Sequence, residues 1–293
     1  LIGVDRLPGG WVCHAHRHYN RQQTLLETST GDIAMKRREF IAASCVAGLS
    51  PIGCAALAAD DCKSNKEYYE LRLYHFNSEA KRKAADEFFA KAAVPAWNRL
   101  GIGPVGVFQM LEGESQNLYV LLPHKSAGSI FSATDRLMAD AQFLRDGAAF
   151  LDAPPDDPAY ERIESTAMLA FDAVPKLELP GKKETRVFQL RIYESHGAKK
   201  GQKKVEMFNE GGEVAVFRDS GMPPVFMGQS MVGAKLPNLT YMLCFDDMDA
   251  KEAGWKRFFA HPGWLKLKAD PAYKDTVSNI TNILLRPAAS SQM

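Results

Sequence analysis

The chain has 293 residues, 46% of them hydrophobic and 24% charged, with 36 Lys and Arg set against 35 Asp and Glu. Those proportions exclude collagen-like, mucin-like and wholly disordered chains. A net charge of +1 gives no electrostatic reason to expect nucleic acid or an anionic membrane as a partner.

Residues 1–34 precede the first methionine, Met35, and read as an upstream extension outside the fold. It holds three alternating histidines, His14, His16 and His18, beside Cys13. Such a cluster can ligate zinc, but no strand-like apolar pattern supports it, so no metal site is expected there. Met35-Lys36-Arg37-Arg38-Glu39-Phe40 is a basic start, followed by a short apolar stretch that closes on Ala56-Leu57-Ala58. Charged start, apolar core and small-residue exit describe a signal peptide over residues 35–58. The Arg-Arg-x-Phe order is similar to the twin-arginine type, with Lys36 in place of the usual Ser or Thr. Export to a periplasmic or other extracytoplasmic space is therefore expected. Nothing later in the chain reads as a bilayer span, so no stable membrane insertion is expected after processing. Of the five cysteines, cleavage after Ala58 leaves Cys62 and Cys244, too few for a disulfide framework. Cys54 follows a poor lipoprotein box, because Pro51 stands where Leu is expected.

The rest of the chain is built twice. Tyr69-Glu-Leu-Arg-Leu-Tyr74 recurs as Phe188-Gln-Leu-Arg-Ile-Tyr193, and Asp157-Pro-Ala-Tyr160 as Asp270-Pro-Ala-Tyr273. Between them, Pro104-Val105 matches Pro224-Val225 and Asn117-Leu118 matches Asn238-Leu239. The offsets stay between 113 and 121 residues, so order and spacing are both kept, as in a duplicated domain. In the first copy, alternation predicts a strand over 68–76. Apolar residues at helical spacing predict a helix from Glu79 to about Leu100. Strands over 104–111 and 118–122 flank a hairpin signal, a helical region covers about 127–151, and 163–171 is the last strand. The second copy repeats this over 186–194, 203–218, 224–231, 239–245, 250–268 and 276–285. The order βαββαβ is the split βαβ, ferredoxin-like arrangement. The fold class is α+β, with domains at 67–174 and 185–287 and a linker at 175–184. Each four-stranded sheet keeps an apolar face that its helices leave bare, and the matching sheet is the natural cover. The two repeats should pair into one intramolecular α+β barrel.

Parity divides the opening strands. Leu71 and Leu73 share one face and Glu70, Arg72 and Tyr74 the other; in the second copy Leu190 and Ile192 oppose Gln189, Arg191 and Tyr193. The aliphatic residues are expected under the helices, which aims Arg72, Tyr74, Arg191 and Tyr193 at the space between the sheets. An arginine there needs a partner. Either it pairs with a nearby acid, as Arg72 can with Glu70, or it binds an anion bidentately. Arg191, with Gln189 where the first copy has Glu70, is the better anion site.

No phosphate loop, HExxH, GxSxG or CxxC motif occurs in the mature part, and no cofactor is expected. His75 and His196 each follow an opening strand and could serve as acid–base groups. His75 falls on the aliphatic face, which weighs against a haem ligand in the cleft. Gln109 and Gln229, polar within apolar strands at matching positions, suggest a shared hydrogen-bonding role. His261 fits a helix N-cap. The Trp255, Phe258, Phe259 and Trp264 cluster reads as core, and Lys199-Lys200 with Lys203-Lys204 as a solvated helix start.

Glu-Leu-Arg-x-Tyr opening a strand, a helix leading to Gly-x-Gly, a hairpin and an aromatic-rich second helix resemble the NIPSNAP family. In the second copy the resemblance includes Trp255-Lys-Arg-Phe258 and Pro262-Gly-Trp264. It implies two tandem domains of the dimeric α+β-barrel type, and it brings no agreed catalytic set. The central strands depart from the family pattern, with Phe108 or Gly228 where the family tends to place Trp, and with Tyr119-Val-Leu-Leu or Thr240-Tyr-Met-Leu in place of a His-Leu-Trp run. The expected function is binding of a small, anionic ligand in the barrel cleft by an exported protein. The alternative is a small-molecule enzyme of the same barrel type, monooxygenase-like or isomerase-like, an inference from fold alone. The sequence does not fix the oligomeric state.

Overall fold

The structure, a computed structural model, describes residues 65–113 and 115–293. The upstream extension, the signal peptide and Cys62 lie outside the described residues. The first repeat runs β1 (Tyr68–His75), α1 (Glu79–Phe88), a π turn (Phe89–Ala93), α2 (Val94–Arg99), β2 (Gly106–Met110), β3 (Leu118–His124), α3 (Ala127–Met138), α4 (Ala141–Leu151) and β4 (Arg162–Ala170). The second runs β5 (Val187–Glu194), α5 (Ala198–Asn209), α6 (Glu213–Asp219), β6 (Pro224–Val232), β7 (Asn238–Phe245), α7 (Met248–Ala260), α8 (Pro262–Ala269) and β8 (Asn279–Pro287). Among the described residues, no helix is long and apolar enough to cross a membrane.

Three expected single helices are each divided in two, and local chemistry accounts for each break. Asp140 caps α4 by accepting from the amides of Gln142 and Phe143, so the second helical layer of repeat one restarts there. Gly212, at φ 86°, separates α5 from α6 in a conformation that side chains rarely adopt. Pro262 opens α8, and the His261 side chain accepts from the Gly263 amide, which is the expected N-cap role. The helix expected over 79–100 is unbroken but locally rewound. Its π turn lies just before Pro95, which has no N–H for the regular ladder.

The eight strands close in the order β1-β3-β2-β8-β5-β7-β6-β4. Within each repeat the neighbours are those of a ferredoxin-like sheet. The two seams between repeats are antiparallel, β2 with β8 through Phe108–Pro287, Gln109–Arg286 and Met110–Leu285, and β4 with β6 through Ala167–Val232 to Ala170–Gly228. One chain thus completes a barrel and leaves no sheet edge unpaired. Gln109 and Gln229 do not share a role: Gln109 Oε1 accepts from Arg82 Nη1 at 3.2 Å, and Gln229 has no side-chain hydrogen bond among the described residues.

Parity separates the two faces of the opening strands as expected, but the faces are the reverse of the expectation. Leu71 and Leu190 point into the barrel with Tyr69, Phe108, Met168, Phe188, Phe226, Met242 and Leu285. Tyr74 and Tyr193 lie in the layers between sheet and helices. A small closed barrel is filled by interdigitating side chains and has no solvent at its middle, so the lining there is apolar. The helix-covered face accommodates the arginines because the helices bring aromatic rings and polar partners to meet them. Cross-repeat ring contacts knit the interior, Phe108 to Phe188 at 4.9 Å and Tyr69 to Phe226 at 5.1 Å between centroids.

Because these contacts join the repeats, Phe108→Ala should destabilise the protein by about 3–5 kcal/mol. Phe188→Ala should do the same, and the double variant should lose less than the sum, since the rings share one contact. Urea unfolding followed by circular dichroism measures all three.

Candidate functional site

Equivalent positions of the two opening strands carry two unlike clusters, each roofed by helices. In the first repeat Arg72 grips Glu70 bidentately, Nε to Oε1 at 2.7 Å and Nη2 to Oε2 at 2.9 Å. Ser165, beside Arg72 in the β1–β4 register, donates to Glu70 Oε1 at 2.8 Å. The guanidinium lies over the Trp97 ring, 5.7 Å from its centroid, at a distance where a cation is attracted by the π face. His124 is buried nearby, its Nε2 3.8 Å from Glu70 Oε2 and without a hydrogen-bond partner among the described residues. Burial alone would raise the Glu70 pKa; its polar neighbours His124, Arg72 and Ser165 more than reverse this and hold the carboxyl at about 2. The charge in this cluster is balanced internally.

In the second repeat Gln189 replaces the acid. Its amide donates to Asn282 Oδ1 at 2.6 Å, and its carbonyl accepts from Trp255 Nε1 at 2.7 Å. Arg191 is then left with neutral acceptors: Tyr193 Oη at 3.1 Å from Nη2 and 3.3 Å from Nε, and Asn282 Oδ1 at 3.3 Å from Nη1. Its guanidinium lies over Trp255 at 4.8 Å and beside the Tyr193 ring at 5.3 Å. Tyr241 donates to Tyr193 Oη at 2.9 Å. Burial raises the pKa of both phenols, so they remain neutral. No carboxylate among the described residues forms an ion pair with Arg191. The site is not sealed: Arg191 is half-buried and Asn282, on the outermost strand of this sheet, is exposed.

The sequence alone did not single out Trp97, Ser165 or Asn282, and it assigned other roles to Trp255 and Lys204. Trp255, read as core, roofs Arg191 and fixes Gln189. Lys204, read as part of a solvated helix start, is buried beside Glu213, with Nζ to Oε2 at 2.8 Å. Helical spacing explains it, because residues 204, 207 and 208 share the inward face of α5 and Met207 and Phe208 are both buried. The ammonium is caged by the rings of Tyr193, Phe208 and Trp264 at 5.5, 5.0 and 6.0 Å. Burial pushes the Glu213 carboxyl up even with Lys204 beside it. His75, whose parity places it with the interior residues, is 2.8 Å from Glu164 Oε1, and His196 is exposed.

Comparison with known proteins fits this architecture. The NIPSNAP family profile matches residues 69–171 and 188–292, one match per repeat, and the chain belongs to that family. No curated protein sequence matches it. Among solved structures, a candidate monooxygenase from Fusobacterium nucleatum superposes over 76% of this chain and 93% of its own, with a TM-score of 0.52 at 6% identity. Another from Lactobacillus acidophilus superposes over 76% and 94%, also at 0.52, with 9% identity. At those identities the likeness is one of fold. A NIPSNAP-like domain protein from Burkholderia xenovorans aligns over 36% of this chain and 89% of its own, at 15% identity and a TM-score of 0.33.

The Glu70 pKa sets an acid response. A carboxyl held at about 2 when folded, against about 4.3 in an open chain, contributes stability that is complete above pH 4–5. That contribution, about 3 kcal/mol, is lost as the pH falls towards 2. Glu70→Gln should be less stable than the wild type at pH 7, and the difference should shrink steadily from pH 5 to pH 2. Denaturant unfolding across that range measures it.

Proposed function

We propose that this NIPSNAP-family chain is an exported binding protein that holds a small anion, a carboxylate or phosphate group, at Arg191. The observation that carries the reading is the exchange of Glu70 for Gln189 at equivalent positions. Both repeats keep the arginine, but only the first supplies an acid to neutralise it. A half-buried guanidinium satisfied by neutral acceptors keeps its charge available, and its planar fork suits a two-oxygen anion. Trp255 holds one face of the guanidinium, and the exposed Asn282 marks the side from which a ligand would approach, its amide a second donor. Arg72, Glu70 and Tyr74 serve structure in the first repeat, while Arg191, Gln189 and Tyr193 belong to the anion site of the second.

Thermal unfolding in the presence of acetate, benzoate and inorganic phosphate tests the assignment. The wild type should be stabilised by at least one of them, by about 2.7 kcal/mol once the ligand reaches a hundredfold excess over its Kd. Arg191→Ala should abolish that response. Arg72→Ala should instead lower the melting temperature without any ligand, because it strands a buried carboxylate at a cost of about 3–5 kcal/mol. A wild type indifferent to all three anions, or an Arg191→Ala variant that still responds, contradicts the reading.

Export rests on the basic start at Arg37-Arg38, the apolar run and the Ala56-Leu57-Ala58 exit. N-terminal sequencing of the mature protein should begin at Ala59. A mature chain that begins at Met35 or upstream contradicts cleavage, and continued secretion after both arginines are changed to Lys points to the general pathway rather than the twin-arginine route.

A further inference from the structure

Arg191 sits beside an open strand face. Ile283 and Leu285 point into the barrel, so Ile280, Asn282, Leu284 and Arg286 share the outer face of β8. Asn282 lies opposite Arg191, and Ile280 opposite Tyr193. Ile280, Asn282 and Arg286 are exposed, while Leu284 is buried between the two polar residues. Closure of the barrel carries this face across the seam to the first repeat, where Gln109 pairs opposite Arg286.

The hydrogen bonds of Arg191 leave one edge of its guanidinium free and give that edge a direction. Nε and Nη2 both donate to Tyr193 Oη, which occupies the edge they share, and Nη1 donates to Asn282 Oδ1. Trp255 covers one face. An anion that takes two parallel N–H bonds is therefore left with the Nη1–Nη2 edge. That edge is turned away from Tyr193, hence away from Ile280 and along β8 towards Leu284 and Arg286.

Arg286 supplies a second charge. Among the described residues its side chain has no ion pair or hydrogen bond. Two acids of α1 border the seam, and both are engaged. Glu79 pairs with Lys83 at 3.0 Å, and Asp86 accepts from the Ser290 amide and hydroxyl. Arg82, which holds Gln109 at 3.2 Å, adds a third cation on the side of the first repeat. Four residues of extended strand put Asn282 and Arg286 about 13 Å apart. With roughly 3 Å of hydrogen bond at each end, two anionic groups that bridge the arginines lie about 6–8 Å apart. We infer, resting on the anion site proposed above, that the ligand of Arg191 is a dianion: a linear dicarboxylate of about six or seven carbons, its second carboxylate at Arg286 and its chain over the edge of Leu284.

Titration calorimetry with adipate and with hexanoate, a monocarboxylate of the same length, tests the second contact. The wild type should bind adipate about three- to tenfold more tightly than hexanoate. Added salt should narrow that gap, because Arg286 is exposed and its charge is screened. Arg286→Gln changes an exposed side chain without partners, so the variant should fold as the wild type does and bind adipate with an affinity close to that of hexanoate. Hexanoate binding with no preference for adipate, or a preference that survives Arg286→Gln, would overturn the dianion and leave the anion site at Arg191 standing. No binding of either acid would overturn both.

Discussion

Closure of the sheet is the constraint from which the rest of the structure follows. Pairing β2 with β8 and β4 with β6 turns two open sheets into one barrel, and a barrel of eight strands encloses only enough room for side chains. Most of what points inward is apolar, and the buried polar side chains of Ser230, Asn238 and Thr240 are hydrogen-bonded to one another. The polar members of the opening strands, Glu70, Arg72, Gln189 and Arg191, therefore face the helices, in two helix-roofed clusters outside the barrel.

The repeats solve the same steric problem with different chemistry. In the first, the ring over the arginine comes from the first helical layer, Trp97 on α2; in the second it comes from the other layer, Trp255 on α7. Ser165 and Asn282 occupy matching places on the last strands, one paired opposite Arg72 and the other opposite Arg191. Ala85 and Lys204 are likewise the seventh residues of α1 and α5, yet one is a buried methyl and the other a buried ammonium paired with Glu213. Divergence of this kind leaves the first cluster neutral within itself and the second with an arginine whose contacts are all neutral. A buried ion pair is weak evidence of net stability, so Lys204–Glu213 is better regarded as a feature that orients α5 against α6 and adds no charge to the Arg191 site.

Much of this was legible in the sequence, and the limits were physical. The duplicated Leu-Arg-x-Tyr strands, the proline and glycine punctuation and the helical spacing located every strand and the intramolecular barrel. Helix breaks at Asp140, Gly212 and Pro262 were foreseeable from capping chemistry, but apolar periodicity ran across them. Alternation separates Leu71 from Arg72 without saying which side is the interior, since both sides of each sheet are covered and both must be largely apolar. The exchange of Glu70 for Gln189 was visible as a difference between copies. The roles of Trp255, Lys204 and Asn282 were not, because each depends on a contact across 60 or more residues or on which way a helix faces.

On the proposed function, the same arginine is structural in one repeat and ligand-binding in the other. Side-chain Nε–H resonances of Arg72 and Arg191, followed by NMR as acetate is added, report on both guanidiniums in one sample. The account predicts that the Arg191 signal moves and saturates while the Arg72 signal, locked to Glu70, stays fixed. Equal movement of both signals, or a stationary Arg191, would contradict it.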